Sequence, residues 1–245
     1  MPTIRCLLLT LSLLLWTGCA TTSQPTPAAP PPPPTAMTPV AEAYGLSGWP
    51  QIERLDFTFN VKLPDREVQR RWTWEPQRDW VTLHGDARGG SVSYQRAALG
   101  PDTPSEIVQA DKWFINDSYW LLFPFYAVWS QPVVEDDGMA PLPIGEGQAR
   151  KITVSYLTLA AYTPGDVYEL FVGDDQRIAQ WRYLPRGDES KARPATWDQH
   201  AQLGPITVAL DHRNADGTFR LWFTDVRAKV SGQGGLIQPR PVTAR

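Results

Sequence analysis

Cysteine is almost absent. The 245-residue chain holds 2, Cys6 and Cys19, and none after residue 19. A domain downstream therefore has no disulfide and no thiol ligand, and must stand on its core alone. Histidine is nearly as scarce, with 3 residues at His84, His200 and His212. There is no HExxH and no Cys/His spacing, so no metal site and no cofactor are expected. An excess of positive charge is missing too. Lys and Arg number 23 against 26 Asp and Glu, a net charge of −3. That excludes the basic footprint of a nucleic-acid binder. No apolar run reaches the roughly 20 residues of a membrane-spanning helix. The chain also lacks a GxSxG elbow, an SxxK pair and a phosphate-cradling GxxxxGK loop.

What is present begins with a leader. Arg5 precedes an apolar run from Cys6 to Trp16, broken by Thr10 and Ser12. Its length suits the core of a secretory signal; an uncleaved anchor helix is the alternative. Trp16-Thr17-Gly18-Cys19 then resembles the lipobox of bacterial lipoproteins, although Trp16 stands where Leu is usual. The resemblance implies cleavage between Gly18 and Cys19 and lipid attachment to Cys19. With Ala20 rather than Asp next, it implies sorting to the outer membrane. Residues 1–18 are then a signal peptide. Residues 19–41 carry TTSQPTPAAPPPPPTAMTPV, which reads as a tether. In polyproline II it could reach about 60 Å, at about 3.1 Å per residue. A disordered leader of no tuned length fits equally.

Residues 42–245 read as one β-rich domain. Leu55, Phe57, Phe59, Val61 and Leu63 alternate with polar residues, the mark of a half-buried strand. Further strands are expected at 68–75, 79–85, 90–97, 151–158, 166–172, 177–184, 205–211 and 218–230. DDQR at Asp174 and NADG at Asn214 read as hairpin turns, so neighbouring strands pair antiparallel. Thr103–Trp129 differs. Ser105 reads as a helix cap, and Ile107, Ala110 and Phe114 follow at helical spacing. One or two helices are expected there, with a buried strand over Tyr119–Phe125 as the alternative.

Aromatic side chains are abundant, with 11 Trp. Phe57, Phe59, Trp72, Trp74, Trp113, Trp120, Tyr168 and Trp181 are the candidates to line an apolar ligand cavity. The same residues would equally fill a core. An antiparallel sheet interrupted by helices, behind a lipobox and a tether, resembles the LolA/LolB-like proteins. The LDFTFNV, WTWEP and FRLWFTDVRAKV strands fall where that family has its own. The resemblance implies an α+β, mainly β fold. It is a strongly curved antiparallel sheet, an open half-barrel, with one or two helices plugging the concave face. It also implies acyl chains bound between sheet and helices.

Catalytic readings are weak. His84 in HGD reads as a surface residue at a strand end. HRNADG from His212 fails as a calcium loop, because His212 and Phe223 occupy ligand places, and it reads as a turn. Asp136-Asp137-Gly138 reads as a solvated loop. Asp166 and Glu169 in TPGDVYEL lie three apart on a strand and face opposite sides. The expected protein is a non-enzymatic, periplasm-facing lipoprotein of the outer membrane. Its partners are the membrane, through the anchor, and a lipid, acyl chain or lipoprotein. An envelope scaffold holding a protein partner is the second reading. A hydrolase needing His84 or Asp166 is the third. A pocket above about 300 Å³ separates the first from the second.

Overall fold

The computed structural model describes residues 34–85, 89–157 and 164–242. Cys19 and Gly18 lie outside these residues, as do Thr158 and Thr163. Residues 32–245 form one compact unit, and the whole core of the described residues lies within it.

Period-two alternation builds the first hairpins. β1 (Ile52–Leu63) pairs with β2 (Arg66–Glu75), β2 with β3 (Trp80–His84), and β3 with β4 (Val92–Gln95), all antiparallel. The helix α2 (Ser105–Trp129) follows, and then β5 (Val133–Pro141), β6 (Gln148–Ser155), β7 (Val167–Val172), β8 (Ile178–Leu184) and β9 (Arg193–Thr196). β10 (Asp198–Leu203), β11 (Ile206–Arg213), β12 (Arg220–Val230) and the short β13 (Arg240–Pro241) return to the first hairpins, since β12 pairs with β1. The fold is mainly β, antiparallel and open, with a helix between the two halves of the strand sequence.

The hydrogen-bonded ladder is divided rather than continuous. Eight strands run in the order β13-β10-β11-β12-β1-β2-β3-β4, and five in the order β5-β6-β7-β8-β9. The chain crosses between them at Trp197, whose N–H still bonds Ala179 O in β8 at 2.9 Å. Side chains replace the ladder there. His212 Nδ1 donates to Thr196 O at 3.3 Å, and Arg213 N–H donates to Thr196 Oγ1 at 3.3 Å.

α2 is one kinked helix rather than a helix and a strand. Leu122 leaves helical geometry (φ −121°, ψ 24°), two residues before Pro124. Proline cannot donate the helical hydrogen bond and crowds the carbonyl four residues back, so the kink belongs to it. Ser105 is the first helical residue and makes no cap; Pro104 precedes it. The helix wedges between the sheets. Phe114 packs edge-on against Trp72 and Trp74 at 5.5 and 5.3 Å, and Phe123 against Tyr168 at 5.2 Å.

Three further sequence expectations need correction. The stretch expected as a tether, residues 19–41, is not free chain at its end. Met37–Ala43 forms the helix α1, and Met37, Val40, Ala41 and Tyr44 are buried. Their spacing is one helical stripe, and Pro39 sits in the first turn, where its missing N–H costs nothing. Met37→Ala is expected to cost about 2–5 kcal/mol in urea unfolding, as for other buried large-to-small changes. A loss under about 0.5 kcal/mol would place α1 outside the cooperative unit. Asp136-Asp137-Gly138 is not a loop. It lies in the edge strand β5, at a bulge where Gly138 takes φ 74°. His212 is not in a turn; it is fully buried in β11, ahead of the hairpin.

Candidate functional site

The β1–β2 register fixes which side chains meet inside. Phe59 faces Arg70, Val61 faces Val68, and Leu63 faces Arg66 across the pair. Odd positions of β1 and even positions of β2 therefore share the inward face. Leu221 on β12 pairs with Val61 and continues it. Opposite stands β8, with Trp181 against Ala195 and Tyr183 against Arg193 of β9. α2 contributes Asn116 and Trp120, one turn apart.

Between these elements lies a cavity of about 280 Å³. Phe59, Val61, Val68, Trp120, Trp181, Phe219 and Leu221 give it apolar walls. Trp120 and Trp181 rings sit 4.6 Å apart. The polar lining is Arg66, Arg70, Asn116, Tyr183 and Arg193. No carboxylate lines it. The Trp181 side chain is buried, and its indole N–H has no hydrogen-bond partner.

Behind the wall, Arg70 is held by a buried ion pair. Asp117 on α2 is 0% exposed. It accepts from Arg70 Nε and Nη2, each at 2.6 Å, from Trp72 Nε1 at 2.8 Å and from Asn116 Nδ2 at 3.0 Å. Arg70 stacks over the Phe59 and Trp113 rings at 5.1 and 5.5 Å. Burial raises the Asp117 pKa above the ordinary aspartate range, against the opposing pull of Arg70. The pair pins α2 to the eight-stranded sheet and uses up one of the three arginines.

The eight aromatic candidates divide. Phe59, Trp120 and Trp181 line the cavity. Phe57, Trp72, Trp74 and Tyr168 are buried in the packed core instead. Trp113 is 40% exposed, outside the cavity, over Arg70. The sequence reading missed Arg66, Arg70 and Arg193. The signal was present, because Arg66, Val68, Arg70, Trp72 and Trp74 recur every second residue.

The residues considered for catalysis do not converge. Thr73 Oγ1 donates to Asp56 Oδ1 at 2.8 Å and stands 2.9 Å from His84 Nε2. With its proton on Asp56, the Thr73 hydroxyl accepts from His84. A nucleophile would need to donate to that ring, so the chain is not an activated hydroxyl. Asp56 is also paired with Arg54 and Arg227. His84 itself ends β3 and keeps part of its surface exposed. Asp166 accepts from Tyr183 Oη at 2.8 Å and from the Arg186 N–H at 2.9 Å. Glu169 points to the other face, into ion pairs with Arg182 and Lys151. Burial raises its pKa, but those two cations outweigh burial and hold it below the ordinary glutamate range.

No family model matches the chain, and no curated protein matches it. Its structure is similar to several solved ones, among them the following three. A LolA superfamily protein from Nitrosomonas europaea gives a TM-score of 0.47 at 9% identity, over 79% of this chain and 93% of that one. A DUF1329 family protein from Desulfovibrio piger gives 0.39 at 8% identity, over 80% and 95%. A protein domain from Vibrio parahaemolyticus, described as outer membrane lipoprotein-sorting, gives 0.39 at 10% identity, over 79% and 95%.

Proposed function

We propose that this chain is a lipid-anchored envelope protein whose domain binds a single acyl chain between its two sheets. It is a carrier or chaperone of a lipid, acyl chain or lipoprotein, and not an enzyme. The observation that carries the reading is the apolar cavity between α2, β1–β2, β12 and β8, about 280 Å³ in volume. That falls just short of the roughly 300 Å³ from which ligand cavities run, so volume alone does not separate a carrier from a scaffold and the reading rests on the apolar lining. It gives room for on the order of ten methylene-sized groups, at about 30 Å³ each. Burying them is worth about 8 kcal/mol gross, at about 0.8 kcal/mol per CH₂, before ordering costs. One chain fits this volume; the several chains of a lipoprotein anchor do not.

Attachment would be through Cys19, on the outer membrane and facing the periplasm. One acyl chain holds a protein only marginally, whereas two or three hold it firmly. Labelled palmitate should enter the wild-type protein and be lost from Cys19→Ser. Unchanged labelling of the variant would refute the anchor.

The binding test is native mass spectrometry with lipid extraction on residues 32–245 from a periplasmic expression host. A co-purifying single-chain lipid is expected. Val68→Trp, which fills the cavity from its half-buried wall, should abolish it without loss of folding. An apo mass that ignores added fatty acid would favour the second reading, an envelope scaffold. The filled core around Trp72, Phe57 and Phe114 is the observation on its side.

A further inference from the structure

Arginine is an expensive residue to aim at an apolar space, because an unpaired buried charge is costly. β2 nevertheless places two on its inward face, in phase with Trp72 and Trp74, and β9 places a third beside Tyr183. Arg70 is compensated by Asp117. Arg66 and Arg193 are not. Both line the cavity, both are exposed at its mouth, and no ion pair joins either to a carboxylate among the described residues. They come from different sheets, so they approach the same opening from two sides. Inside, the one buried unpartnered polar group on the wall is also a donor, the Trp181 N–H. The cavity thus offers apolar walls, cationic donors at its mouth and no charged acceptor.

We propose that the ligand is a single-chain amphiphile with an anionic headgroup, its tail between Trp120, Trp181 and Phe219 and its head between Arg66 and Arg193. This rests on the reading that the cavity holds an acyl chain, and it adds the charge of the polar end. Guanidinium forks match carboxylate and phosphate oxygens bidentately, and such charge-assisted hydrogen bonds are the strong ones. A neutral headgroup would leave both forks without a matching acceptor. The competing explanation is that the two arginines extend into water and only keep the open end of the sandwich soluble.

The two explanations separate in a titration of residues 32–245 with decanoate, decyl phosphate and decanol. The tail is constant, so the affinity ratio reads the headgroup alone. The anions are expected to bind about tenfold tighter than decanol at low ionic strength. The ratio should shrink as salt screens the exposed mouth. Arg66→Gln with Arg193→Gln should bring the anions to the level of decanol and leave decanol within about twofold. Arg66→Lys with Arg193→Lys should keep part of the ratio. If the double Gln variant fails to fold, each single variant is expected to lose part of the ratio. Tighter binding of decanoate than decyl phosphate, or the reverse, identifies the headgroup as carboxylate or phosphate. Equal binding of decanol and the anions by the wild type overturns the charge assignment while the acyl-chain reading stands. So does a ratio that survives the Gln variants. Failure of all three ligands to bind overturns both.

Discussion

Asp117→Ala is expected to lower stability by about 3 kcal/mol or more in urea unfolding. The change removes the acceptor shared by Arg70, Trp72 and Asn116. Arg70 would be left between two aromatic rings with no counter-charge, and the buried Trp72 N–H with no partner. Breaking a buried ion pair from one side costs about 3–5 kcal/mol, because the surviving charge is uncompensated. Arg70 keeps 17% side-chain exposure, which puts the expected loss at the lower end. The pair itself need not be strongly stabilising. Replacing both partners with apolar groups, as in Asp117→Leu with Arg70→Met, should recover most of the loss. A single variant within about 1 kcal/mol of wild type would mean that α2 is not held to the sheet through this pair.

The second large effect is acid sensitivity through His212. The side chain is fully buried where the two sheets meet, 4.2 Å from the Trp197 ring, and its Nε2 has no partner. Burial pushes its pKa down to about 3, against weaker upward pulls from the Thr196 carbonyl and Asp211. In the unfolded chain the same ring titrates near 6.5. Below that pH the unfolded state binds a proton that the folded state refuses. The stabilising contribution is therefore complete above about pH 6.5 and is lost as pH falls toward 3. Between pH 6.5 and 5 the loss from this residue alone is about 2 kcal/mol, at about 1.4 kcal/mol per pH unit. His84 and His200 are also held below the ordinary histidine range, each first by burial, and add slope of the same sign. Comparison with His212→Gln isolates the one group. Unfolding free energies at several pH values from 5 to 7 should show a flatter dependence in the variant, by a difference that approaches one proton toward pH 5. Parallel slopes would contradict a neutral, buried His212.

Most of the sheet was legible because one face of each strand is dry. Leu55-Phe57-Phe59 and Trp72-Trp74 declare their phase, and the NADG and DDQR turns declare antiparallel pairing. The missed strands lack that contrast. β5 is exposed on both faces, and β10 (DQHAQL) and β9 (RPAT) carry little apolar alternation. α1 was hidden by the proline tract before it, although Met37, Val40, Ala41 and Tyr44 keep helical spacing.

The site was legible only in part, and for a physical reason. Whether an inward aromatic fills a core or lines a space depends on what stands opposite. Trp72 packs against Phe114; on β1 Phe59, two positions beyond the Trp72 partner Phe57, lines the cavity. That difference depends on the rotation and kink of α2, which periodicity does not fix. Trp113 and Phe114 are neighbours in sequence, yet a turn of about 100° puts one over Arg70 and the other in the core. The arginines were legible in retrospect, since the phase set by Trp72 and Trp74 also sets Arg66 and Arg70.

The most direct measurement is a crystal structure of residues 32–245 grown with decanoate brominated at the tail end, read by anomalous scattering. The bromine should lie between Trp120, Trp181 and Phe219, with the carboxylate at Arg66 and Arg193. Clear density for a cavity without ligand, or bromine bound only outside the two sheets, would contradict the account.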